Sequence, residues 1–383
     1  ITLTAGGGDT RILVTSGALT LTGALAPNTT NRKLQLAGAG TGLVAGPIAD
    51  GEGSNTLAVS KYDAGVWTLS GSNSFTRGLT IEAGRLIAAH PSALGNGACS
   101  LSSGATLDLN GQSVILPDTL TLRGNGVGSA GALINSSASS AAIGGTSTVA
   151  LAANTFIGGN GDLLLDRPVS GAYALTKIGS ATLTLAASNT YSGTTAVSNG
   201  TLVLRGSLAG GLTVAPGATF VPDGAPVVAG GLTLAAGSTV AFRLNGPEPG
   251  TQYDRLTASA AVTLGATLSL QAAPGLAPGA VFTLLDKTSS GTVSGTFAAL
   301  PNAAAFFASG YIWRIRYDGG TGNDVTLALL VPSTVTNVWT QTAPGIRLWS
   351  DTANWRDAAE PLASPDASVV FLPGQTLGPG TLS

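Results

Sequence analysis

Apolar and polar positions alternate along most of this chain with a period of two. Thr182-Leu-Thr-Leu-Ala186, Thr201-Leu-Val-Leu204 and Thr106-Leu-Asp-Leu-Asn110 show it, as do Thr263-Leu-Gly-Ala-Thr-Leu-Ser-Leu270 and Asp324-Val-Thr-Leu-Ala-Leu329. Most of these runs set Leu or Val on one side and small or polar residues on the other, which predicts half-buried strands. Clusters of Gly, Asn, Ser and Pro between them predict turns. No segment has a convincing helical period. The short apolar stretch Ala303–Ala308 comes nearest.

An internal repeat sets the expected architecture. Residues 61–88 align with 177–204 at an offset of 116 without a gap. Lys61 matches Lys177, Trp67 matches Leu183, Asn73 matches Asn189, Phe75 matches Tyr191 and Ile81 matches Val197. A shorter Gly-x-Thr-Leu-like unit recurs at Gly84, Gly104, Gly200, Gly217, Gly237 and Gly265. A unit of roughly 20 residues cannot bury its own apolar side, but stacked units can. Strands that all run one way predict an all-β, right-handed parallel β-helix, since parallel crossovers prefer that hand. The competing all-β fold is a β-sandwich, which needs hairpins. Asn110-Gly111 and Asn199-Gly200 are possible hairpin turns, although Asn199-Gly200 falls in a repeat whose other copy has Ala83-Gly84.

Composition agrees with many turns and many short strands. Gly supplies 55 of 383 residues, charged residues only 9% and hydrophobic ones 44%, so the chain is too apolar for disorder. A net charge of −2 gives no field for nucleic acid and little repulsion between copies. Cys99 is the single cysteine, so no internal disulfide can form. No run of 18 apolar residues predicts a transmembrane segment. With no Met in the sequence, Ile1 is not expected to be a translation start, and the chain reads as a mature or excised segment.

The run from Gly179 through Thr195, Gly-x-x-Thr-Leu-x-Leu-x-x-Ser-Asn-Thr-Tyr-Ser-Gly-Thr-Thr, resembles the autotransporter-associated β-strand repeat of bacterial passenger regions. Tyr253-Asp-Arg-Leu256, Gly295-Thr-Phe297 and Tyr317-Asp-Gly-Gly-Thr-Gly-Asn-Asp-Val325 resemble later parts of such passengers. Val338-Trp-Thr340 and Leu348–Trp355 resemble the start of a further passenger unit. Residues 1–330 are thus expected to form a passenger-type parallel β-helix and 331–383 a Trp-rich β segment. The resemblance implies export to the cell surface or beyond it, often with adhesion or self-association, and no shared catalytic residue.

Candidate chemistry is sparse. His90 and Cys99 could suggest a nucleophile pair, but no third orienting group is evident. Asp162 and Asp166 could act as paired carboxylates, with Arg167 a ready partner for Asp166. Asp318–Asp324 resembles a calcium-binding nonapeptide in a single copy, and a glycine-rich turn accounts for it better. No metal, cofactor or catalytic residue is therefore expected. Trp339, Trp349 and Trp355 crowd together, either packing the end of the solenoid or offering a partner-binding platform. Asn73 and Asn189 are expected at stacked turns as a hydrogen-bonding ladder. The expected function is a structural or adhesive solenoid, with copies joining head to tail. The alternatives are a carbohydrate-binding adhesin and a polysaccharide-degrading β-helix enzyme.

Overall fold

The computed structural model describes residues 9–28, 31–145 and 148–331, with the backbone of the short strands Thr2–Leu3, Asn337–Trp339 and Val369–Phe371. Among them the chain is almost wholly β, and the sole helical element is a 3-10 turn at Val127–Ser129. The strands stack in parallel as a β-solenoid. Ala303–Ala308, the nearest helical candidate, supplies the strand Ala305–Ala308.

Three columns of parallel pairing form the faces. The first runs from Thr10–Leu13 through Leu57–Lys61, Leu79–Ile81 and Cys99–Leu101 to Val169–Gly171. Asn189 joins it to Ser207–Leu208, and it continues to Val281–Lys287. The second is unbroken through thirteen strands, from Ala18–Leu21 to Ser294–Gly295. At ~4.8 Å per strand that column is roughly 60 Å long. The third comprises eight strands, from Ser113–Leu116 to Thr267–Ala272. Val149–Gly159 bends around a corner and serves both the first face and the second.

Alternation along each strand builds the interior. Leu183, Leu202, Phe220 and Val240 lie in register on the third face and all are buried. Burying each such side chain stabilises by about 1.5–3 kcal/mol. Thr182, Thr201, Thr219, Thr239 and Thr267 form the matching outward column. The recurring Gly turns the corner between faces. Gly200 has φ +70°, and a Cβ there would sit 2.5 Å from the Gly179 carbonyl oxygen, so both backbone and space require glycine. Asn110-Gly111 and Asn199-Gly200 are such corners: the strands on either side lie on different faces, so they are not hairpins.

The pairing changes direction after the last parallel strands. After Ser294–Gly295, the strands Ala305–Ala308, Tyr311–Gly319 and Asp324–Val331 run antiparallel and extend the first face beyond Val281–Lys287. The cause is local. Ser309 and Gly310 take φ +50° and +82°, as a tight two-residue hairpin turn requires. Phe282, Trp313, Tyr253 and Tyr311 pack edge-on or tilted beneath this sheet, with ring centroids 5.2 to 5.7 Å apart.

Candidate functional surface

The two repeat copies are built alike but sit on different faces. In the first, Lys61 lies on the first face and Val66–Leu69 on the second. In the second, Lys177 lies on the second face and Thr182–Leu185 on the third. Both lysines are buried. The Lys61 ammonium donates to the carbonyls of Tyr62, Asp63 and Ala83 at 2.7 to 2.9 Å. Lys177 donates to Ile178, Gly179 and Asn199 at 2.7 to 3.1 Å. Three N–H donors thus meet three carbonyls at a corner, and the ammonium ties one coil to the next. Burial pushes both groups down to about 8, and the charges of Asp63 and Asp162 oppose that only in part. Outside any repeat, the Lys287 ammonium likewise takes three carbonyls, those of Ser289, Ser290 and Gly291, and closes its own turn rather than joining coils. Sequence reasoning missed this role, and the only signal was that lysine recurred at one repeat position.

Asn73 and Asn189 do staple coils, in a form different from the expected ladder. Asn73 accepts from the Ile48 N–H at 2.8 Å and donates to the Ala93 carbonyl at 2.6 Å. Asn189 accepts from the Val169 N–H and donates to the carbonyls of Ala187 and Ser207. The coils on either side present backbone rather than asparagine at these places, so the bonds run from side chain to main chain.

The other candidates are held separately. The His90 Nδ1 accepts from the Ser92 N–H at 3.0 Å. Cys99 is buried on a strand of the first face, and burial pushes its thiol up to about 12. Asp162 accepts from the Thr182 N–H, while Asp166 pairs with Arg167 at 3.3 Å. The two acids flank the strand Leu163–Leu165, and four extended positions set them about 13 Å apart along the chain, wider than glycosidase carboxylate pairs. In the glycine-rich loop, Asp324 accepts from the N–H groups of Lys287 and Thr321, and Asp318 pairs with Arg316. Among the described residues no three His, Cys, Asp or Glu side chains are grouped to hold a metal. Buried Asp108 takes the N–H groups of Asn110 and Ser136, the Ser136 hydroxyl and the Arg85 guanidinium.

A shallow groove of about 300 Å³ crosses the third face, with Ser113, Ser140, Asp162, Thr182, Thr184 and Arg205 among its lining. Ion pairs run along the edge of the same face: Arg205 to Asp223 at 2.7 Å, then Arg243 to Asp223 and Asp254. Trp349 and Trp355 lie outside the described residues, as does the side chain of Trp339.

Residues 59–88 and 175–204 both match the passenger-associated-transport-repeat, at the same offset of 116. The chain therefore carries two copies of this repeat, in agreement with the resemblance read from its residues. No curated protein matches the sequence. Among the described residues no helix is long and apolar enough to cross a membrane.

Proposed function

We propose that this chain is part of a passenger rod, displayed at a bacterial surface or released from it, and that it works without catalysis as an adhesive and self-associating structural element. The observation that carries this reading is where the buried charges go. Lys61, Lys177, Lys287, Asp108, Asp254 and Asp324 all hold the chain's own backbone. Chemistry on a substrate needs such groups aimed outward and grouped. The lateral faces instead offer in-register small polar side chains and little net charge, which permits close approach of copies.

The strand Ala305–Ala308 is the last of its sheet, and an edge strand is a template for pairing. End-to-end contact between rods is heterologous and does not close, so it builds a filament. The groove on the third face favours a second reading as a glycan-binding adhesin, because its hydroxyls, Asp162 and Arg205 suit a sugar. A glycan panel separates these readings from an enzyme. Binding or inertness without chain shortening supports the proposal, and cleavage of any member overturns its non-catalytic part.

A further inference from the structure

The sequence contains six Asn-Gly pairs, at Asn96, Asn110, Asn125, Asn160, Asn199 and Asn245. The fold treats them differently. At Asn110 the following glycine N–H is donated away, to the Asn135 side chain at 2.9 Å. At Asn160 it goes to the Asn135 carbonyl at 3.1 Å. At Asn125 the side-chain amide is tied to the Ser129 hydroxyl at 2.7 Å. Asn199 is exposed, and its Oδ1 accepts from the Gly200 N–H at 2.7 Å. That contact brings the Gly200 nitrogen beside Cγ, one bond away from Oδ1. The carbonyl between the two residues also accepts from the Lys177 ammonium at 3.1 Å. A cation on a peptide carbonyl draws electron density from the adjoining nitrogen and makes its proton more acidic.

We propose that Asn199-Gly200 is a self-modification site, at which the fold promotes loss of the Asn199 amide under the influence of Lys177. Hydroxide from solvent removes the Gly200 N–H proton. The nitrogen bonds to Cγ, the Cγ–Nδ2 bond breaks, and Nδ2 takes up a proton and leaves as ammonia. Water then opens the five-membered imide at either carbonyl, leaving an aspartate or isoaspartate carboxylate. Glycine cannot be exchanged away to prevent this, since position 200 needs its positive φ and has no room for a Cβ. The product puts a carboxylate on the residue whose carbonyl Lys177 already holds. The first repeat has Ala83 at this place, with Lys61 on its carbonyl, and so keeps the corner without the reaction.

The test is peptide mapping by mass spectrometry of the folded chain after incubation at neutral pH, where Lys177 carries its proton. Asn199 is expected to gain the mass of an amide-to-acid conversion several-fold faster than Asn110 and Asn160. In urea the three sites are expected to converge. Lys177→Met should slow Asn199 and leave the other two unchanged, with circular dichroism confirming that the variant folds. Equal rates at the three sites in the folded chain would overturn the proposal, whether or not that variant folds. An unchanged Asn199 rate in a folded Lys177→Met chain would remove Lys177 from it.

Discussion

Lys61 and Lys177 make matching sets of three carbonyl hydrogen bonds from one repeat position, yet they stand on different faces of the solenoid. The repeat therefore encodes a strand, a corner and a second strand, and it fits on more than one face. Corner chemistry is local, and the parallel pairing on either side supplies the rest.

These lysines give the chain a pH signature. Their folded value is about 8, below the ordinary 10.5 of an unfolded chain. Below pH 8 both states are protonated, and the desolvation cost is carried in full. Between about 8 and 10.5 the unfolded chain binds more protons, so stability rises with pH. The melting temperature is expected to climb by a few degrees from neutral pH to just under pH 10. The double variant Lys61→Met, Lys177→Met should lose that climb; a melting temperature that falls through this window in the parent chain would contradict the assignment. Tyr191 and Tyr317 act oppositely at higher pH, because burial raises their phenols and the unfolded chain releases those protons first.

Gly42 and Trp67 are in register on neighbouring coils, and a Cβ at Gly42 would stand 2.2 Å from the indole ring. Gly42→Ala should therefore cost about 1–3 kcal/mol through overpacking. The second repeat carries Leu183 where the first has Trp67. Adding Trp67→Leu should open the space and recover part of the loss, as read by urea denaturation of the single and double variants. Strict additivity would show that the ring is not what excludes the methyl group.

Asn73→Ala and Asn189→Ala each remove a buried side chain that bonds the backbone of neighbouring coils. Each should cost about 1–3 kcal/mol, because backbone groups are left unpaired. The sites share no partner, so their effects should add. A denaturant midpoint unmoved by either change would show that water replaces the amide.

The alternation and the repeat made the fold legible, since most strands bury one side and alternating Leu, Val and Ile carry that need in the sequence. Which face a repeat occupies was not legible: a corner looks the same wherever it falls. The antiparallel strand Tyr311–Gly319 alternates from Trp313 to Tyr317 much as the parallel ones do, and the tight turn at Ser309-Gly310 reverses the chain ahead of it. The lysine corners were hidden because lysine ordinarily reads as a surface residue. Asn73 and Asn189 were visible as a recurring pair, but their partners were not, because backbone acceptors leave no mark in a sequence.

Electron microscopy of the purified chain over rising concentration tests the proposed structural role most directly. Rods that associate end to end or side by side as concentration rises are the expected result. Separate rods that stay unassociated at the highest concentration would contradict self-association.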